Sequence, residues 1–290
     1  MKTRVKAYAK INLHLDVTEI RDDGYHNIEG IMQSISLCDI VDIEVTADER
    51  IIIECDEAGV PLDEKNIAYK AARRFLDKAE RDCGVIIKIK KNIPMAAGLA
   101  GGSADGAAVL VGLNELFNGA ISETELYALG ASLGADVPFC MACGCCLTEG
   151  IGEKMKRIKS LSENTVLVVA CGGEGVSTPA AYRMLDEKYD NFKAYVPCGY
   201  ADLEKSIIDA SDGFYEHIFN IFEEPISSVR PVVGEIKTLM QKNGALGAMM
   251  SGSGPSVFGA FDDITRAEEA LAEIRGKGYF ASVAYPIAKR

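Results

Sequence analysis

The first third of the chain carries the apolar pattern of strands. Val5 to Asp16 partly alternates between apolar and polar residues, and Ile35 to Val45 and Ile51 to Cys55 are rich in β-branched side chains. Asp22-Asp23-Gly24 predicts a turn between the first strands. From Asn66 to Ala79 the period changes to that of a helix. Ile67, Ala71, Phe75 and Ala79 recur at every fourth position, and Arg73, Arg74 and Lys78 lie on the other face. Val85 to Ile89 predicts a strand, and Lys90 to Gly102 a loop. A second helix is expected from near Ser103, with Val109, Leu110, Leu113 and Leu116 on one face. Ser122 and Glu125 form a capping box for a third helix that ends near Leu133-Gly134. The apolar run through Cys140 and Cys146 reads as a buried strand, as does Val166 to Cys171. Val229 to Lys242 predicts a helix stopped by Asn243-Gly244. Ala245 to Met250 and Ser256 to Phe261 read as strands around a tight Ser251–Pro255 turn. A last helix opens at Thr265 with Glu268, its Leu271 and Ile274 inward, and Tyr279 to Tyr285 closes as a strand. Strands and helices are mixed without regular β-α-β alternation, so the pattern predicts an α+β fold. A weak break suggests two domains, 1–155 and 156–290.

Composition narrows the function classes. The 290 residues are 48% hydrophobic, enough for a sizeable core, and carry 31 Lys plus Arg against 43 Asp plus Glu, a net charge of −12. Such a chain is expected to bind neither nucleic acid through its phosphates nor an anionic membrane. A local cationic pocket for a small anion stays open. No uninterrupted apolar stretch follows Met1 and no run approaches the ~20 residues that span a bilayer, so a cytoplasmic protein is expected. The nine cysteines are odd in number and lack framework spacings, which predicts reduced thiols, Cys38, Cys55 and Cys171 within apolar runs. Cys140 and Cys143 form a C-x-x-C. No second pair follows at zinc-site distance, and none of His14, His26 and His217 is near in sequence, so a small-hydrophobe role is favoured.

The chemistry concentrates in Pro94-Met-Ala-Ala-Gly-Leu-Ala-Gly-Gly-Ser-Ala-Asp105. Small residues let backbone N–H groups approach a ligand, and a helix N-terminus at the end of the loop favours a phosphate. A flexible loop with Ser103 as a plain N-cap fits the residues about as well. The segment is neither a Walker A loop nor a G-x-G-x-x-G fingerprint, and no G-x-S-x-G elbow is present. Lys10 sits between Ala9 and Ile11 in a run that reads as buried, where an unpaired lysine is costly. Asn12, two residues on, shares its strand face. Asp136, before Val137-Pro138, reads in isolation as a solvated turn residue.

Together these segments resemble the GHMP family of small-molecule kinases. Pro94 to Ala104 is similar to the family's phosphate loop, Gly134-Ala-Asp-Val-Pro-Phe139 to its acidic motif, and Met250-Ser-Gly-Ser-Gly-Pro-Ser-Val-Phe258 to its C-terminal Gly-rich motif. Ala9-Lys-Ile-Asn-Leu-His-Leu-Asp16 followed by Arg21-Asp-Asp-Gly-Tyr-His26 resembles the branch whose acceptor is 4-diphosphocytidyl-2-C-methyl-D-erythritol. The resemblance implies an N-terminal domain like ribosomal protein S5 domain 2 and a ferredoxin-like C-terminal domain. It implies transfer of the ATP γ-phosphate to the C2 hydroxyl of that acceptor, in the non-mevalonate route to isoprenoid precursors. Asp136 would be the base and Lys10 its cationic partner. The ATP loop would comprise Pro94, Met95, Ala96, Ala97, Gly98, Leu99, Ala100, Gly101, Gly102, Ser103 and Ala104, with Ser103 also a ligand for Mg²⁺. Asn12, Tyr25, His26, Gly252 and Ser253 would meet the substrate, Tyr25 and His26 holding the cytosine. Tyr182 is the loosest assignment, either an opposing aromatic or a core helix residue. Lys90 and Lys91 are candidates for the adenine.

Ala97 and Ala100 stand where some members have glycine, which stiffens a loop whose phosphate contacts are backbone ones. The rival is another kinase of the family, of the homoserine or mevalonate type, for which the Tyr25-His26 pair has no use. A non-catalytic nucleotide- or RNA-binding module fits poorly with the −12 charge and with the presence of both Lys10 and Asp136. The expected partners are small molecules, with no nucleic acid and no membrane, for a monomer or weak homodimer.

Overall fold

The computed structural model describes residues 1–209 and 213–289. Its first half is built on a long antiparallel hairpin, β1 (Lys2–Ile20) and β2 (His26–Thr46), turned at Gly24 (φ 81°). β3 (Ile51–Cys55), α1 (Ile67–Lys78), β4 (Gly84–Lys90), α2 (Gly101–Leu116), α3 (Glu123–Leu133), α4 (Asp136–Ala142), β5 (Cys145–Gly150) and β6 (Lys154–Ile158) come next in the chain. β2 is long enough to serve two neighbours on one edge. Ile40–Thr46 pairs with β4, and Ile28–Gln33 pairs with β5.

The second half contains β7 (Val166–Cys171), α5 (Thr178–Lys188), α6 (Ala201–Ile208), β8 (Phe219–Asn220), α7 (Glu223–Val229), α8 (Val232–Lys242), β9 (Gly247–Met250), β10 (Val257–Phe261), α9 (Ile264–Gly276) and β11 (Phe280–Ala284). Its sheet runs β11-β7-β10-β9 and is antiparallel, while β8 returns to pair with β1 of the first sheet.

Three apolar clusters hold these layers together. Phe75, Ile43, Ile87 and Leu110 centre the first, where α1 and α2 cover the N-terminal sheet. β7 is buried on both faces. Val166, Val168 and Ala170 join Ile236, Met240 and Ile274 under α8 and α9. Leu167, Val169 and Cys171 face the other way, against Ile11, Leu13 and Ile35 of the hairpin. The two halves therefore share a core and are not lobes on a linker, because a strand apolar at every position must be covered on both sides.

The α+β reading stands, and so do most elements, with four differences. The Cys140–Cys146 run is not one strand. Asp136–Ala142 is helical, and the chain turns at Cys143 (φ 51°) and Gly144 (φ 91°) before β5 begins. A short apolar run has no period to separate helix from strand, and Pro138 is tolerated in a first turn. Cys140, Cys143, Cys145 and Cys146 are buried, and among the described residues no two cysteines are joined in a disulfide. α2 starts at Gly101, after Ala100 in the left-handed region, so Ser103 lies within its first turn and is not the cap. The helix expected over 229–242 starts later, at Val232: Val229 is the last residue of α7, and Arg230 (φ −133°) lies outside the helical region because a residue before proline is pushed out of it. Finally, residue 155 falls inside β6, and the chain passes to the second sheet between Ile158 and Val166.

β1 carries a bulge between Asn12 and His14. An extra residue in one strand reverses which side chains face which side. Lys10 and Asn12, before the bulge, line a cavity between the two halves, and Leu15 lines it after the bulge. His14 and Asp16 are thereby moved off that face. Among the described residues no helix is long and apolar enough to cross a membrane.

α2 approaches the hairpin closely at Gly112, where a Cβ would meet Ile43 Cδ1 at 2.5 Å and Val5 Cγ2 at 3.0 Å. Gly112→Val is expected to lower stability by about 1–3 kcal/mol through overpacking. Urea unfolding checks this, with a lower midpoint and an unchanged slope expected.

Candidate active site

The cavity between the two halves has a volume of about 960 Å³ and gathers residues that are far apart in sequence. Lys10 and Asn12 come from β1, Tyr25 and His26 from the hairpin tip, Asp136 from the start of α4, and Gly252 and Ser253 from the turn before β10. From the Gly-rich segment, Pro94 to Gly98 and Ala100 to Ser103 reach the cavity. Leu99 and Ala104 do not. Leu99 is packed in the core shared by the halves, and Ala104 under the N-terminal sheet.

The loop's shape results from its small residues. Ala96 (φ 49°), Gly98 (φ 77°) and Ala100 (φ 59°) all lie in the left-handed region. At Gly98 a Cβ would stand 2.1 Å from the Ser251 carbonyl oxygen, so no other residue fits without moving one of the two loops. Ser251, fully buried, ties three segments together. Its Oγ accepts from the Asn12 N–H (3.2 Å) and donates to the Gly98 carbonyl (3.1 Å). The Lys10 N–H donates to the Leu99 carbonyl (3.1 Å), and the Ser256 N–H to the Ala97 carbonyl (3.3 Å). Asn220 holds the turn from behind through the Met250 (2.7 Å) and Gly252 (2.9 Å) carbonyls. α2 has no side-chain cap, which leaves its first N–H groups and its positive dipole end to a ligand in the cavity.

The Lys10 ammonium is buried and donates to Asn12 Oδ1 (2.5 Å), and it lies against Gly252, whose Cβ would meet Nζ at 3.2 Å. Asp136 lines the same cavity, half-buried, but no ion pair joins it to Lys10 among the described residues. Its charge is felt at Tyr182, where burial first and Asp136 second push the phenol up to about 12.

At the far end the hairpin tip meets α5. The His26 ring stacks on Tyr182 (centroids 4.5 Å, 29°), and its Nε2 lies 2.7 Å from Asp186 Oδ1. Phe222 stands edge-on to Tyr182 at 5.0 Å. Tyr25 is 61% exposed and makes none of these contacts. Thr178, Tyr182 and Asp186 are spaced by four on one face of α5, and all three line the cavity. The sequence reading missed Thr178 and Asp186, although that spacing after a Ser-Thr-Pro helix start was visible. It also missed Ser251 as the connecting hydroxyl.

Of the two lysines before the loop, Lys90 is exposed and Lys91 is committed. Lys91 Nζ is bonded to Asp105 Oδ2 (2.8 Å) and to Asp39, all three side chains being nearly inaccessible. Asp39 Oδ1 also accepts from the N–H groups of Asn92 (2.6 Å) and Ile93 (2.8 Å). Burial raises the Asp105 carboxyl well above the usual carboxylate range, although Lys91 pulls it down, and the Asp39 charge adds to the rise. This buried cluster fixes where the Gly-rich loop leaves β4.

Comparison with known proteins gives this architecture a family. The model of the GHMP kinases N terminal domain matches residues 66–144, and that of the GHMP kinases C terminal domain matches residues 203–279. The chain is 44% identical over 284 residues to 4-diphosphocytidyl-2-C-methyl-D-erythritol kinase of Clostridium perfringens, covering 97% of this chain and 96% of that one. A crystal structure of 4-(cytidine 5'-diphospho)-2C-methyl-D-erythritol kinase superposes with a TM-score of 0.82 at 30% identity, over 98% of this chain and 99% of that one. Homoserine kinase from Cytophaga hutchinsonii shares the fold at 18% identity (TM-score 0.74, 99% and 95% covered). The chain belongs to the GHMP kinases, which use ATP as co-substrate, and within them to the 4-diphosphocytidyl-2-C-methyl-D-erythritol kinases.

Gly98→Ala is expected to raise the KM for ATP at least ~10-fold while the protein stays folded, because the added methyl displaces the loop from Ser251. Steady-state kinetics with circular dichroism as the folding control checks this. An unchanged KM would show that the loop yields without affecting nucleotide.

Proposed function

We propose that the cavity binds ATP and 4-diphosphocytidyl-2-C-methyl-D-erythritol together and transfers the γ-phosphate to the C2 hydroxyl, giving ADP and the 2-phosphate. The observation that carries this is one cavity with a Gly-rich loop ending in an uncapped helix N-terminus and, apart from it, an imidazole–phenol stack. The first suits a triphosphate and the second a nucleobase. A homoserine- or mevalonate-type acceptor has no group that would use the second.

Asp136 takes the proton of the acceptor hydroxyl as the O–P bond forms and the bond from phosphorus to the ADP oxygen breaks. A tertiary alcohol is a weak acid, so removal of its proton is matched to phosphoryl arrival. The Lys10 ammonium, held by Asn12 and kept from water, stabilises negative charge on the reacting oxygens. The N–H groups of Gly101 to Ser103 and of the preceding loop bear the nucleotide phosphates. Asn12, Gly252 and Ser253 lie along the acceptor, and His26, fixed by Asp186 and flanked by Tyr182, presents its ring edge and face to cytosine, with the exposed Tyr25 closing over the base. Mg²⁺ fits the oxygen donors available. The Ser103 hydroxyl lines the cavity in the first turn of α2 and would hold it, and the ion would neutralise phosphate charge. The protein works in the cytoplasm on small molecules, as a monomer or weak homodimer, and its −12 charge turns nucleic acid away. The two domains of this reading are 1–155 and 156–290.

Release of ADP with ATP, Mg²⁺ and each of the cytidyl acceptor, homoserine and mevalonate tests the assignment. Only the cytidyl acceptor is expected to turn over, and turnover of either other acceptor alone would overturn it. Asp136→Asn is expected to lower kcat at least ~10²-fold with ATP binding kept. Tyr25→Ala and Asp186→Ala are expected to raise the KM of the cytidyl substrate and spare that of ATP. An equal loss for both substrates would remove these residues from the base pocket.

A further inference from the structure

A second group of functional side chains lies on the other face of the hairpin, outside the cavity. Asp16 of β1, Glu29 of β2 and Glu149 of β5 are direct cross-strand partners, Asp16 opposite Glu29 and Glu29 opposite Glu149. Like charges so placed repel. At the outer end Glu149 is opposite Lys154 of β6. At the inner end Asp16 and Glu29 meet no lysine or arginine among the described residues. Asp16 is fully buried and is served by neutral donors only. Its Oδ1 accepts from the Tyr195 hydroxyl (2.7 Å) and the Val17 N–H (2.8 Å), and its Oδ2 from the Cys198 N–H (2.7 Å). Glu29 likewise has a neutral donor, the Gly199 backbone N–H. Two acids are thus held together without a counter-charge.

His14 supplies the independent observation. It is fully buried, and among the described residues neither Nδ1 nor Nε2 has a hydrogen-bond partner. A buried imidazole with both nitrogens unpaired is costly in the absence of a ligand. One of its nitrogens and one carboxylate oxygen each from Asp16 and Glu29 lie within 4.8 Å of one another. The ring is held between Phe219 (centroids 5.5 Å) and Tyr200 (6.0 Å).

We propose that His14, Asp16 and Glu29 form a binding site for a divalent first-row transition-metal cation, of the zinc or manganese class. An imidazole nitrogen with two carboxylate oxygens favours such an ion over Mg²⁺ or Ca²⁺, which take oxygen ligands alone. Bonds of about 2.0–2.2 Å place ligand atoms about 3–3.5 Å apart, within reach of small side-chain rotations here. A double positive charge cancels the two carboxylates and satisfies the histidine, which no neutral donor does at once. The role is structural. Asp16 already binds the segment around Tyr195 and Cys198, so the ion would clamp that segment to the hairpin whose tip carries Tyr25 and His26. The site is independent of the kinase assignment.

The probe is Co²⁺ alone, titrated into the full-length protein after chelator treatment and without nucleotide. One equivalent is expected to bind with visible d–d absorption, without a dominant thiolate band, and to be displaced by Zn²⁺. Zn²⁺ is expected to raise the Tm of the wild type. His14→Gln is expected to abolish the Co²⁺ spectrum, and Glu29→Gln to weaken binding at least ~10-fold and to remove the Tm rise. Glu29 is only half-buried, so its variant decides the matter should His14→Gln fail to fold. Cys198→Ser is expected to leave the spectrum unchanged. The proposal is overturned by absence of stoichiometric Co²⁺ binding in the wild type, by wild-type affinity in folded Glu29→Gln, or by a spectrum that disappears with Cys198.

Discussion

The Ser251 hydroxyl, with no exposure to solvent, accepts from the Asn12 backbone and donates to the Gly98 backbone. Those two bonds join β1, the Gly-rich loop and the turn before β10, which come from three distant parts of the sequence. The site depends on this join because each participant is weak alone. A glycine-rich loop loses more conformational entropy than any other on becoming ordered. Here Gly98 presses on Ser251, Gly252 presses on Gly98, and the Lys10 and Ser256 N–H groups fasten the loop on both sides of Gly98. The backbone N–H groups of the loop are then held in place by the protein itself, which is the kind of order that electrostatic preorganisation requires.

The electrostatics of the molecule divides by burial. The −12 net charge sits mostly on solvated faces, where ion pairs such as Lys2–Glu44 or Arg50–Asp48 contribute little. The charges that shape the structure are few and inside. Lys91 between Asp39 and Asp105 sets the departure of the loop from β4, and its two acids leave a single net negative charge beside a loop built for anions. Protonation of Asp105, which burial favours, relieves that conflict. Lys10, buried on the cavity side, is bonded to neutral Asn12. The same β1 carries the buried acid Asp16 on its other side. One bulge, between Asn12 and His14, separates these opposite environments by only a few residues.

Much of the fold was legible because the signals were local. The helix from Asn66 showed its period, and the structure adds that Asn66 caps it, its Oδ1 accepting from the Ala68 N–H. The Ser122–Glu125 capping box is formed in full. The errors arose where local signals are silent. The Cys140–Cys146 run is apolar throughout, so nothing in it told α4 from β5. The later start of the helix expected from Val229 was written in the sequence at Pro231, but the helical period placed the boundary three residues early. The length of β1 and β2 was underestimated because strands buried on both faces lose their alternation. Within the site, Lys10 and the Gly-rich loop stood out on physical grounds, whereas Asp136 looked like an ordinary turn residue until family resemblance singled it out.

By itself the sequence determined the α+β class, the periodic elements, the motifs and the residue types that phosphoryl transfer needs, since these rest on local periodicity and on patterns a few residues long. The tertiary structure alone decided which of them meet. It stacked His26 on Tyr182 and set Asp186 at its edge, across about half the chain. It withdrew Leu99 and Ala104 from a loop whose other members face the cavity. It also left His14, among the described residues, without a hydrogen-bond partner beside two acids. Such facts depend on which strand lies beside which and on where a bulge reverses a face. Those are long-range choices made by packing the whole chain at once, and no short window of sequence contains them.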